Sequence, residues 1–449
     1  MINFVTLTKK NTLYYAIGST ILFMGALYNT FPFINGDSSV YISSGIENTV
    51  PYERPIFYGY FLRLTSFKMS LWLPALAQCG ILFMLLSRMF KVLLPNITKK
   101  QSLLVTLVLC LGTGVWFEVA KLMADIFTAY LTLAFFLYIF EKAASTFSKI
   151  LYLFIILYSA TCHNSHLVIL TLAPFLLWFI FKLVGIRIKT LHWPILVLIP
   201  LSWAAVCTSN YVDNGNFTTS RASHVFLMGK MVENGMLKHH LDRRCDSKDW
   251  KICQYADSLP ITGWQFVWDP KSPVAKTGGW DANKVEYNDI LTSIITTPNH
   301  LFLLIYKSVI ETGAELLQCD YGTDLIRYDE KSNIQQTIYK YYGHEYNRSR
   351  WSRQSILEIP FDGLNMWYYL FLIVSTVWVA HLYSIQQIPN QLISAYVFVL
   401  AILLVNAFVT ANFANIGDRL NTRIFWLLPT LHILSILHSL IHNLKTVSK

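Results

Sequence analysis

Ten apolar runs punctuate this chain, at residues 13–33, 71–94, 103–116, 126–140, 150–161, 167–183, 193–207, 366–382, 392–410 and 424–440. A membrane-crossing helix needs roughly 20 predominantly apolar residues to traverse about 30 Å of hydrocarbon. The third to sixth runs are short and reach that length only by recruiting flanking polar residues. Charged residues make up only 14% of the chain, against roughly a quarter in soluble domains. The expected fold is therefore an α-helical polytopic membrane protein with ten transmembrane helices, and disordered, collagen-like and disulfide-rich miniature classes are excluded. Lys9 and Lys10 before the first run mimic a signal peptide. The run is too long for one and no small-residue cleavage site follows it, so it reads as an uncleaved first helix.

Placing Lys9 and Lys10 in the cytoplasm puts Arg88, Lys91, Lys99, Lys100, Lys142, Lys149, Lys182, Arg187, Lys189, Lys445 and Lys449 on the same side, against the single acid Glu141. Such an asymmetry is what the positive-inside rule demands of a correctly counted topology, with both termini cytoplasmic. The formal net charge of +10 then needs no nucleic acid partner. Residues 1–209 form an N-terminal module of seven helices with a long first outer loop, 34–70. Residues 210–363 form a non-cytoplasmic soluble domain of mixed, mainly helical character, and residues 364–449 a C-terminal module of three helices. Residues 300–317 are apolar enough to tempt a further span. On a helix, however, Lys307, Glu311 and Glu315 make a stripe opposite Phe302, Ile305, Val309 and Leu316, the pattern of a helix lying in the membrane interface.

Cys79, Cys110, Cys162 and Cys207 fall in or beside apolar runs and read as small buried hydrophobes. Cys245, Cys253 and Cys319 fall on the oxidising side, where Cys245 with Cys253 is the expected disulfide. No CxxC or HExxH spacing is present, so no zinc site is expected.

Chemistry-bearing residues gather in the outer turns. The first outer loop carries NGDSSVYISSG, with Asp37 at the membrane surface, and then Glu53 and Arg54 before a proline. Asp37 reads either as a helix cap, since Asp followed by serines is an N-cap pattern, or as a general base. The second outer connection carries Glu118, Lys121 and Asp125, which one helix would present on one face. They form either an ion-pair ladder or the wall of a wet cavity. The third, TCHNSHLV, carries His163 and His166, suited to interfacial hydrogen bonding or to a phosphate. The last, ANIGDRLNTRIFW, carries Asp418, Arg419 and Arg423. Arginines four apart on a helix either snorkel to headgroups or grip a phosphate bidentately. No single turn is specific, but all four open on one side of the membrane.

Together GDSSVYISSG, ERPIFYGYFLR, KLMADIFTAYLTL, TTPNHLFLLIYKSV and GDRLNTRIFWLLP resemble the GT-C class of integral-membrane glycosyltransferases. These take sugar from a polyprenyl-phosphate donor on the non-cytoplasmic side. The resemblance covers most of the chain in topology, through short motifs. It implies that Asp37 is the catalytic base, Asp125 a second active-site acid, and Arg419 or Arg423 a contact to the donor phosphate. Glu53, Arg54, Glu118, Lys121, His163 and His166 complete the expected substrate-binding set. Asp37 is followed by Ser38 rather than by a second carboxylate, so no cation and no cofactor are assigned. Trp250, Trp264, Trp268 and Trp280 read as core residues or as stacking surfaces for sugar. The expected partners are a polyprenyl-phosphate sugar, a glycan, lipid or protein acceptor, and membrane lipid. The resemblance also implies a bacterial inner membrane with the site facing the periplasm or exterior. A lipid-linked glycan polymerase or ligase shares these features. A secondary transporter should instead show ionisable groups near the bilayer midplane and inverted repeats, and a receptor-like role needs only the outer domain.

Overall fold

A computed structural model describes residues 9–186 and 193–447. Arg187, Lys189 and Lys449 lie outside the described residues, as do the side chains of Lys9, Lys10 and Lys445. The described residues are helical, with one isolated backbone bridge between Phe33 and Lys121. Among the described residues, six helices are long and apolar enough to cross a bilayer: Trp72–Leu93, Asn164–Val184, Trp193–Asn214, Phe361–Ser384, Asn390–Phe413 and the broken Asp418–Asn443. Ile126–Phe140 and Thr146–Thr161 are shorter apolar helices. Exposed apolar side chains such as Trp178, Phe179, Leu183, Ile373 and Val377 line these helices. Contiguous surfaces of that kind are unsupportable in water and ordinary in lipid. The chain is an α-helical membrane protein.

Two of the apolar runs are interrupted. The run at 103–116 divides into Lys99–Gly112 and Val115–Ala120, because Thr113 turns extended between the two helices. The last run is divided at Trp426, where Asp418–Phe425 gives way to Leu427–Val447. The first outer loop is not irregular either: it folds into α1 (Gly36–Glu47) and α2 (Phe57–Ser66). These helices touch closely, the Gly45 and Gly59 backbones being so near that a Cβ on Gly45 would stand 2.1 Å from the Gly59 carbonyl oxygen. Following them, α3 (Val115–Ala120), α4 (Ile126–Phe140) and α5 (Asn164–Val184) supply the second and third outer turns.

The segment 210–363 has two parts with different partners. Its first part has its own core of Val225, Met228, Met236, Leu237, Leu241, Ile252, Phe266, Tyr287 and Ile290, with Cys245 and Cys253 disulfide-bonded at its edge. Its second part packs into the transmembrane body. Ile334, Ile338 and Tyr342 join the large core, and Tyr321 and Leu325 pack with Phe33, Phe117 and Tyr368. Polar clamps fix that packing: Gln354 bonds both the Ile34 amide and carbonyl, at 3.1 and 2.6 Å, and Glu345 accepts from Ser70 and from the Leu71 amide.

Between the two parts runs α6 (Pro298–Leu316), which packs along α7 (Asn390–Phe413). Its polar stripe faces protein: Glu311 pairs with Lys230 at 3.2 Å, and Glu315 is fully buried. Its apolar stripe faces outward, with Phe302 76% and Val309 69% exposed. The final element at the site is α8 (Asp418–Phe425).

Candidate functional site

Asn35 opens the site by starting α1. Its side chain accepts from the Asp37 amide at 3.0 Å, and its own amide donates to Ser38 Oγ at 2.9 Å, which is a reciprocal capping box. The cap is therefore Asn35, and Asp37 lies in the first turn, where the helix dipole favours a negative charge and its carboxylate needs no capping role. The bridge aligns this turn with the second outer connection: Phe33 N donates to Ala120 O at 3.1 Å and Leu122 N to Phe33 O at 2.8 Å. Ser38 Oγ adds a bond to Leu122 O at 2.8 Å.

The same bridge overturns the expectation of a single helix through Glu118, Lys121 and Asp125. Once Lys121 is extended to pair with Phe33, α3 must stop at Ala120 and a new helix starts after Asp125. The three side chains nevertheless share one charged cluster. Lys121 Nζ lies 3.2 Å from Glu118 and 2.9 Å from Asp324, and Thr422 Oγ1 donates to Glu118.

At the centre, Arg419 lies 3.3 Å from Asp37 and 3.2 Å from Asp125, bridging two carboxylates. Arg54 lies 3.0 Å from Asp37 and 3.1 Å from Glu53. Arg423, one turn after Arg419, lies 3.5 Å from Asp125 and donates to Asn406 Oδ1 and Ser165 Oγ. Asp125 is buried, whereas the Asp37 side chain keeps 31% of its surface. Asp37 is thus the more accessible of the two acids.

The histidines are placed differently. His163 caps α5 through its Nδ1, which accepts from the Ser165 amide. His166 is buried with both ring nitrogens engaged, by Thr128 at 2.7 Å and by the Ser159 carbonyl at 2.8 Å.

Electrostatics follow from burial and pairing. Burial works to raise the Asp37 carboxyl, but Arg54 and Arg419 outweigh it and hold it below the usual carboxylate range. Asp125 is held lower still, burial being outweighed by Arg419, Arg423 and Lys121. Burial pushes Glu118 up to about 7 against the pull of Lys121. The His163 imidazole is driven down to about 3, mainly by burial, so it is neutral at physiological pH and its Nδ1 remains an acceptor.

Two groups beside Asp37 are unspent. Among the described residues, Arg54 Nη1 and the Tyr41 hydroxyl have no hydrogen-bond partner, and the Arg54 guanidinium stands 5.1 Å over the Tyr41 ring. The amide of Gly36 donates to the Tyr328 hydroxyl at 2.8 Å. Tyr328 also lines a cavity of about 430 Å³ with Arg327, Asp329 and Ser332. Asp324 and Tyr328 were not legible as site residues: each sits in an unremarkable polar stretch, and only the docking of 318–355 onto the membrane body brings them to the site; Tyr41 lies inside the first-loop motif but is not singled out by it. Among the described residues, no group of three or more His, Cys, Asp or Glu is arranged to hold a metal ion. No family model, curated protein or solved structure matches the chain.

Proposed function

We propose that this protein is a glycosyltransferase that moves a sugar from a polyprenyl-phosphate donor to an acceptor hydroxyl at the non-cytoplasmic membrane face, within a ten-span topology. The observation that carries the reading is the bridging of Asp37 and Asp125 by Arg419. One reachable carboxylate and a phosphate-gripping guanidinium are held together at the end of an apolar bundle.

A carboxylate gripped by two guanidiniums is a poor base. Donor binding resolves this. The planar guanidinium of Arg419 pairs with phosphate bidentately, and Arg54 Nη1 has a donor to spare. As phosphate draws Arg419 away, Asp37 loses one of its two cations and its basicity rises. Asp37 then takes the proton of the acceptor hydroxyl, and the acceptor oxygen bonds to the anomeric carbon. The carbon–oxygen bond to phosphate breaks, its electron pair leaving on the phosphate. One displacement inverts the anomeric configuration. Asp125 and Arg423 hold α8 in register for this exchange.

The test is transfer or hydrolysis in proteoliposomes supplied with a panel of polyprenyl-phosphate sugars, for wild type and Asp37→Asn. The wild type should turn over at least one donor, and the variant should fold and bind it yet lose on the order of 100-fold or more in rate. Unchanged turnover in Asp37→Asn removes Asp37 from the role.

A further inference from the structure

We propose that His239, His240 and His300 form an acid-operated clasp: uncharged, they fasten the helix Met236–Arg244 to the first turn of α6, and protonation unfastens it. The arrangement is a buried pair with one proton to share. His240 and His300 are both buried, and their Nδ1 atoms face each other at 3.2 Å. At that distance one ring donates its N–H and the other accepts on a bare nitrogen. A second proton would set two N–H groups and two charges head to head. The His239 ring stands 5.0 Å from the His300 ring, and His240 stacks on Trp250 at 5.7 Å. Among the described residues, His239 Nδ1, His240 Nε2 and His300 Nε2 have no hydrogen-bond partner. Bare buried polar atoms cost stability, so apolar side chains would join these two helices more firmly. Apolar side chains would not respond to acid.

The surroundings sharpen that response. His239, Arg243 and Arg244, on the same helix as His240, oppose any positive charge on the pair. His300 is the third residue of α6, at the positive end of its dipole. The acid facing His240 is Asp289, whose carboxylate already accepts from Trp250 Nε1 at 3.0 Å and pairs with Lys248 at 3.4 Å. Burial, then the neighbouring rings and arginines, pushes His240 down to about 4 and holds His300 below the ordinary histidine value. Freed rings take up protons near 6.5, whereas fastened ones resist them. Attachment is therefore whole above that pH and is lost as pH falls from about 6.5 towards 4. Further along α6, Glu311 pairs with Lys230 at 3.2 Å, and Lys230 also lies 3.6 Å from Glu233. That contact asks nothing of an imidazole. The opening is therefore confined to the start of α6 and the helix it holds, and stops short of Glu315.

Hydrogen exchange read by mass spectrometry on the full-length protein in detergent tests this at about pH 7.5 and pH 5, with labelling times scaled for the intrinsic exchange rate. Peptides over 236–244 and 298–304 should lose protection by about tenfold at the lower pH, while 307–316 keeps its protection. His300→Gln still bonds His240 Nδ1 but brings no second titrating ring, so its acid response should shrink severalfold. His240→Phe combined with His300→Phe should abolish the response. Equal protection of the wild type at the two pH values overturns the clasp, as does an undiminished response in His300→Gln. Loss of protection spreading through 307–316 marks general loosening in acid and overturns it too. Should the double variant fail to fold, His300→Gln decides. No donor or acceptor enters the measurement, so its outcome is independent of the glycosyl-transfer reading.

Discussion

Arg419 is the residue on which the electrostatics turn, because it neutralises two acids from distant parts of the chain. If it holds the donor phosphate, Arg419→Lys keeps the charge but loses the planar fork, and the donor KM should rise about tenfold. An unchanged KM would assign the phosphate elsewhere. A pH profile gives a second reading. The acid limb of kcat/KM reports the free enzyme, in which Asp37 is held below the usual carboxylate range, so activity should persist to unusually low pH. Arg419→Gln removes one of the cations that depress Asp37, and the limb should move to higher pH. Asp37, Asp125, Arg419 and Arg423 were legible in the sequence because charge at the end of an apolar run is costly unless it has a use. Asp324 was not, because an acid in a polar segment carries no such penalty until tertiary packing buries it beside Lys121.

Among the elements, α6 was expected from its charge spacing to be an amphipathic helix lying in the interface; a helix forms over Pro298–Leu316, but the spacing could not say which stripe meets protein. Glu315 answers that: it accepts from the Gly417 amide at 2.8 Å and from Thr410 Oγ1 at 3.1 Å, tying α6 to the loop before α8. Burial pushes the Glu315 carboxyl up to about 7. A carboxyl raised in the folded state is protonated there while the unfolded chain ionises. Stability is therefore lost as pH rises from the ordinary glutamate value, about 4.3, towards 7, and is constant beyond it. Melting temperatures at pH 5 and 8 should fall more for wild type than for Glu315→Gln, which cannot ionise; parallel falls would refute the assignment. The expectation of one helix through Glu118, Lys121 and Asp125 failed for a different reason. Helical spacing is a local signal, and the Phe33–Lys121 bridge that breaks the helix comes from residues far away in the chain.

For the whole molecule, the apolar runs foretold a helical membrane protein, whereas the partition of 210–363 between a separate core and the membrane body was hidden. Both parts are polar, and the docking of the second one is visible only in tertiary contacts such as those of Gln354, Glu345 and Asp324. The ten-span arrangement predicts that a reporter fused to the C-terminus is active only when chosen for the cytoplasm. If a periplasmic reporter works there instead, α6 or another helix changes the parity and the site changes sides. The pairing of Arg419 with two acids has one more consequence. Bilayers are crowded with phosphodiester headgroups, and an arginine at their level is ordinarily fouled by them. Here the resting guanidinium is already occupied, so a common phospholipid gains little by displacing its internal counterions. If Arg419 does hold the donor phosphate as proposed, these internal counterions make the resting site selective for a visitor that grips the protein through more than its phosphate.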